Sequence, residues 1–207
     1  MPRPPAKTTF QRSYYFTPGE QTGPVFYSVL RAGHLTAGPD HNIGRDSYPG
    51  HEIIYCLRGH GVAQLHGSTY DVPPGSILWV NCHHPHAYKA DLKDPWEVYW
   101  LRFDGPMVDR ICSLLSAEKR PVFTGFDRRG IEQTFNRVFN LLEKPRPATS
   151  AWLHAEVAKM IAYLFQARQS DDPAGALEPE FPVALRKPIE SMRLYFHKSW
   201  LVEDLAR

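Results

Sequence analysis

The chain lacks the cysteine pairs that would mark a metal finger or a disulfide scaffold. Its three cysteines, Cys56, Cys82 and Cys112, are odd in number, widely spaced and without a CxxC motif. Free thiols in a reducing compartment are the simplest reading. No run approaches about 18 apolar residues, and no apolar segment follows Arg3, so neither a membrane span nor an export signal is read, and a cytoplasmic protein is expected. Charge of one sign is missing too. Lys and Arg number 24 against 22 Asp and Glu, a formal +2, too small to argue for nucleic-acid binding by this segment. Gly-x-Ser-x-Gly, the P-loop and the Rossmann glycine pattern are all absent, which lowers the expectation of an enzyme. There are no repeats or low-complexity tracts.

What is present is aromatic, prolyl and histidyl: 13% Phe, Trp and Tyr, 19 Pro and 10 His in 207 residues. With 43% hydrophobic and 22% charged residues the chain is globular, long enough for one domain and a small appendage. Residues 1–105 carry short apolar runs, Ile53-Ile54-Tyr55-Cys56-Leu57, Gly61 to Leu65, Ser76 to Val80 and Trp96 to Phe103. Between them lie turn sequences, Arg58-Gly59-His60-Gly61, His66-Gly67-Ser68 and Pro73-Pro74-Gly75. Strands at this spacing, with no helix-length segment between them, predict a β-barrel or sandwich. Along the last run, Trp96, Val98, Trp100 and Arg102 share one face and Glu97, Tyr99, Leu101 and Phe103 the other; the first set is expected to face inward.

Residues 106–170 change period. Ile131, Phe135, Val138, Phe139 and Leu142 fall on one helical face, and a second helix follows Thr149-Ser150, which can cap it. Its apolar positions are Leu153, Val157, Met160, Ile161 and Leu164, four of them alternating steps of four and three as a coiled-coil seam does. Two readings stand: a dimerisation seam, or a helix packed on its own barrel. Residues 171–184 read as an acidic, Pro-containing linker. From 185 to 207 helical spacing resumes at Leu185, Ile189, Met192 and Phe196. A helix pair of this length has too little core to stand alone, so a domain continuing past Arg207 is expected.

Four stretches together resemble the sensor domain of AraC-family transcription regulators: Gly50-His-Glu-Ile-Ile-Tyr-Cys-Leu-Arg-Gly-His-Gly-Val, Val72-Pro-Pro-Gly-Ser-Ile-Leu-Trp-Val, His83-His-Pro-His-Ala-Tyr88 and Trp96 to Phe103. Ser76 stands where the family usually has Asp. The tail from Pro188 to Ala206 resembles the opening of that family's helix-turn-helix DNA-binding domain. The resemblance implies a mainly β plus α fold: a cupin-like (double-stranded β-helix) barrel followed by a helical dimerisation region. It also implies a small-molecule effector in the barrel, a sugar being the first guess, and a homodimer through Leu153, Val157, Met160, Ile161 and Leu164. DNA would be bound through a C-terminal domain absent from this chain. No membrane partner, cofactor, metal or catalytic residue is implied.

Some cupin barrels are metal-dependent enzymes, which is the alternative. Against their pattern, Glu52 and Gly59 stand at the right spacing and His86 matches the last ligand, but the His-x-His pair falls on Asp46 and Tyr48, or on Arg45 and Ser47. Two of four ligands are missing. His51, His83 and His84 could rebuild a site, with His84 and His86 on one strand face. In place of the metal, Arg45 presents a fixed cation suited to a carboxylate or to sugar hydroxyls. The expected effector-binding set is Arg45, Tyr48, Glu52, His86, Tyr88, Trp96 and Trp100. An N-terminal segment, Thr8 to Gly19 with Phe10, Tyr14, Tyr15 and Phe16, is either a lid over the effector or a first edge strand.

Overall fold

The computed structural model describes residues 7–20 and 23–171 and scattered positions between 188 and 203. Ten strands and three helices follow in order: β1 (Thr9–Tyr15), β2 (Ser28–Thr36), β3 (Asn42–Arg45), β4 (His51–Arg58), β5 (Gly61–Leu65), β6 (Ser68–Val72), β7 (Ile77–Asn81), β8 (His86–Ala90), β9 (Glu97–Asp104), α1 (Val108–Leu114), β10 (Val122–Phe123), α2 (Arg128–Glu143) and α3 (Thr149–Asp171). Apart from Asp171, where α3 ends, the expected linker at 171–184 and most of 185–207 lie outside the described residues.

The strands form two sheets, in the orders β1-β2-β9-β4-β7-β10 and β3-β8-β5-β6. Every pairing between them is antiparallel. Strands β2 to β9 are therefore the eight strands of a double-sheet jelly roll, four in each sheet with the crossovers that fold requires. This is the cupin-like barrel expected. Turn chemistry sets the corners: His66 and Gly67, at φ 50° and 77°, make the two-residue hairpin between β5 and β6, and Gly75, at φ 76°, closes the Pro73-Pro74-Gly75 turn and donates its N–H to the Cys56 carbonyl at 2.7 Å.

The two sheets are written differently in the sequence. Strands β5 and β8 alternate buried and outward residues, because the β3-β8-β5-β6 sheet has one wet face. Strands β4 and β7 read as continuous apolar runs, because their sheet is buried on both faces. One face of that larger sheet, with Leu35, Ile54, Leu78, Val80 and Val98, looks into the barrel. The other, with Val29, Ile53, Tyr55, Trp79, Leu101 and Phe103, is covered by the helices.

Helix α2 buries Ile131, Phe135, Val138, Phe139 and Leu142, the stripe its period predicted. Phe135 and Phe139 meet Tyr99 at 5.5 and 5.3 Å between ring centroids. Helix α3 begins at Thr149, but Thr149 Oγ1 accepts the Arg146 N–H at 2.7 Å and so stabilises the preceding turn instead of capping the helix. Near the other end of α3, Arg168 donates to the carbonyls of Leu115 and Arg120 at 3.0 and 2.6 Å and stacks on Phe123 at 4.0 Å.

The dimer seam needs correction. Leu153, Val157, Met160, Ile161 and Leu164 are all at most 6% exposed and belong to the same apolar cluster as α2 and the sheet. The four-three spacing records packing on the chain's own sheet, and this face is closed to a partner.

Candidate functional site

Between the sheets lies a cavity of about 140 Å³. Its walls come from both: Arg31 and Leu35 of β2, Ile43 and Arg45 of β3, Glu52 and Ile54 of β4, Tyr88 of β8, and Val98, Trp100 and Arg102 of β9, together with Phe10, His41 and Trp96. The alternation along 96–102 places Val98, Trp100 and Arg102 at the cavity and leaves Leu101 and Phe103 against the helices.

Five of the seven expected effector residues line this space: Arg45, Glu52, Tyr88, Trp96 and Trp100. The other two stand behind it. Tyr48 offers its ring to two guanidiniums, Arg45 at 4.7 Å and Arg102 at 4.0 Å from the centroid. His86 stacks on Tyr88 at 6.4 Å, and its Nδ1–H donates to the His84 carbonyl at 2.8 Å, which leaves Nε2 buried without a partner. Arg31, Arg102, His41 and Phe10 were not in the expected set. Arg102 was legible, two residues beyond Trp100 on the same face. Arg31 was not, because β2 carries no clean apolar run and a register shift between Val29 and Arg31 breaks its alternation.

Glu52 is 5% exposed and accepts a hydrogen bond from the Tyr88 hydroxyl at 2.8 Å. Burial pushes its carboxyl above the usual carboxylate range, opposed by that hydrogen bond and by Arg45, Arg102 and His86. The Tyr88 hydroxyl is raised in turn, by burial and by Glu52. The two tryptophans differ. Trp96 is fully buried and donates its indole N–H to His41 Nδ1 at 3.3 Å, so it is a satisfied wall. Trp100 has an indole N–H with no partner. Its ring crosses β2 at Gly33, where a Cβ would come within 2.7 Å of Trp100 Cζ2.

The N-terminal segment is an edge strand that also reaches the cavity. A bulge between Phe10 and Arg12 divides it. Phe10, before the bulge, lines the cavity mouth and is 54% exposed. Beyond it, Arg12 and Tyr14 turn to the helices and meet Phe139 at 5.5 and 6.1 Å.

The metal alternative finds a poor donor set here. Glu52 and His86 offer one carboxylate and one imidazole, and no further His, Cys, Asp or Glu among the described residues completes a trio with them. A catalytic metal ordinarily keeps three protein ligands. A trio does form elsewhere, His51, His83 and Asp109, with ligand atoms all within 4.8 Å of one another. There, Trp79 Nε1–H donates to His51 Nδ1 at 3.0 Å, so in the neutral ring the proton sits on Nε2, 2.9 Å from Asp109 Oδ1. A metal at Nε2 would need the lone pair that this tautomer has committed to a proton. Burial lowers the His51 pKa despite Asp109, which favours the neutral ring. His51 and Asp109 make a hydrogen-bonded tie between β4 and α1, and His83 meets the His51 ring edge-on at 5.7 Å.

A sequence model of the AraC-like ligand binding domain matches residues 31–160. The MmsAB operon regulatory protein of Pseudomonas aeruginosa is 31% identical over 77 residues, covering 35% of this chain and 25% of that protein. The chain thus matches about a quarter of that curated relative's length. Among solved structures, similar chains include a cupin superfamily protein from Desulfitobacterium hafniense (15% identity, TM-score 0.36, covering 47% of this chain and 78% of that one). Another is an HTH_3 family transcriptional regulator from Vibrio cholerae (15% identity, TM-score 0.36, covering 46% and 51%).

Proposed function

The chain belongs to the AraC-like ligand binding domain family, whose model spans well over half of it, and from that premise we propose that it is the effector-sensing part of a transcription regulator. A small molecule enters the barrel between the two sheets, touches Arg45, Tyr88 and Trp100, and is preferred by one conformation of the protein. DNA binding is then controlled in a helix-turn-helix domain to which the segment 185–207 leads. The shift in DNA binding can be no larger than the effector's preference for that conformation. The observation that carries this reading is the cavity lined by buried polar groups without partners, inside a domain whose family is named for ligand binding.

Dimerisation belongs to the same reading, on a different surface from the seam expected. The outward side of α2 and α3 carries Trp152, 61% exposed, beside Leu141 and Arg146, and we place the homodimer contact there. A sugar effector, suggested by the aromatic lining, is weighed against the charge of the pocket below. The sensor reading is tested by operator binding of the full-length regulator, measured with and without effector. Arg45→Ala is expected to keep operator binding and lose its response to effector. A response unchanged by Arg45→Ala, or a full-length protein that binds no DNA, would overturn it.

A further inference from the structure

We propose that the cavity takes a small organic anion, its carboxylate gripped by Arg31, Arg45 and Arg102 and its apolar body laid against Ile43, Ile54 and Val98. The proposal rests on the sensor reading above and names the class of effector.

The first support is charge. Three guanidiniums line one cavity of about 140 Å³, and among the described residues the one carboxylate on its wall is Glu52, already hydrogen-bonded to Tyr88. Among the described residues, none of the three cations forms an ion pair. Arginines elsewhere in the protein do find oxygen partners: Arg58 pairs with Glu97, Arg137 with Glu156, and Arg168 with two carbonyls. In the cavity, Arg31 donates to the Ser13 hydroxyl at 3.4 Å, and otherwise the three cations meet rings. Arg45 and Arg102 lie over Tyr48, and Arg31 lies over Tyr15 at 4.2 Å and Trp100 at 5.1 Å. Stacking occupies the flat face of a guanidinium and leaves its in-plane N–H fork for an acceptor.

The second support is the sign of what is missing. The buried atoms of cavity-lining side chains that lack a partner are Arg31 Nε, Trp100 Nε1 and Arg102 Nε. All three are donors, on side chains of which Trp100 is 7% and Arg102 9% exposed. The unpartnered groups of this wall are all donors, and their complement is a guest that brings acceptors. An ionised carboxylate accepts at both oxygens and donates nothing, and it fits the fork of an arginine two-to-two. A sugar hydroxyl brings a donor for every acceptor and would find little but Glu52 to receive it.

The third support is size and polarity. The cavity is close to the roughly 150 Å³ space that holds one benzene in a protein interior, which excludes a disaccharide. Leu35, Ile43, Ile54 and Val98 give one part of the wall no polar group. Inorganic phosphate would answer the donors but leave that part facing water; a carboxylate on a hydrocarbon body answers both.

The test uses the whole 207-residue chain with straight and branched monocarboxylates and benzoate, each paired with its neutral primary amide, and with inorganic phosphate, glucose and arabinose alongside. Binding is read by titration calorimetry and by the unfolding midpoint, which rises when a ligand prefers the native state. At least one acid is expected to bind and to raise the midpoint, with its amide weaker by about tenfold or more, as loss of a charge-assisted pair requires. Arg102→Met, similar in bulk and without charge, is expected to weaken the acid by a similar factor. If that variant fails to fold, Arg45→Met at a half-buried position carries the same test. Amides equal to acids, phosphate equal to the best acid, or acid binding indifferent to both arginine variants would overturn the proposal. A neutral sugar that binds in preference to every acid would overturn it and leave the sensor reading standing. Silence from every class, phosphate included, would overturn the proposal, while the sensor reading stands or falls on the operator-binding test.

Discussion

The two faces of the larger sheet are made by the same strands, often by adjacent residues, and they are packed to opposite ends. On the helix face, Ile53, Tyr55, Trp79, Leu101 and Phe103 meet α2 and α3 with apolar contact, and the polar atoms there are paired: Tyr55 donates to Glu132 at 3.0 Å and Trp79 to His51. On the barrel face, Glu52, Trp100 and Arg102 border a cavity, and Trp100 and Arg102 keep donors without acceptors. Native interiors pair nearly all their buried polar groups and leave few voids. A face that does neither, one side-chain length from a face that does both, gives up stability for something else, and a guest that completes the pairing is the physical reason such a surface persists.

The largest contrast comes from the helix face. Leu164→Glu puts a charge into the buried apolar cluster, one turn from Arg168, whose donors are already held by the Leu115 and Arg120 carbonyls, and is expected to unfold the chain, while the milder Leu164→Ala costs about 2–5 kcal/mol, measurable by denaturant titration. A folded Leu164→Glu protein would mean that α3 does not pack as described. Next, Trp79→Phe strands His51 Nδ1 and is expected to cost about 1–3 kcal/mol. Arg102→Met, on the barrel face, removes a cation that has no ion partner, and its unfolding midpoint should fall far less than that of Trp79→Phe; an equal fall would erase the distinction between the faces.

Glu52→Gln should act in the opposite direction. Because burial raises the folded carboxyl above its unfolded value, the native state binds that proton more readily, and wild-type stability declines as pH rises through the folded pKa. The variant, which keeps an acceptor for Tyr88, is therefore expected to melt higher than wild type at neutral pH. The gain should shrink as pH is lowered towards the unfolded carboxyl value. The same gain at every pH would contradict the burial argument. The smallest effect on stability is expected at Trp152→Glu, where the side chain is already exposed; sedimentation should show whether a dimer is lost.

Much of this contrast was readable beforehand. The run Ile53 to Cys56 has no alternation because both its faces are covered, while the alternation from Trp96 to Arg102 separated cavity from helix correctly. The turns at Gly67 and Gly75 were legible from residue chemistry. The seam on α3 was not, because apolar spacing of four and three is the same whether the partner is a second chain or the chain's own sheet. Arg31 and His41 escaped notice because they reach the cavity from segments without a periodic signature, and only three-dimensional closure of the barrel brings them beside Arg45 and Arg102.

The most direct test of a guest-completed barrel is a crystal structure of the chain grown with the tightest-binding acid. The account predicts density in the cavity with acceptor oxygens within hydrogen-bond distance of Arg102 Nε and Trp100 Nε1. A barrel solidly filled by its own side chains, or a transition ion held by Glu52 and His86, would contradict it.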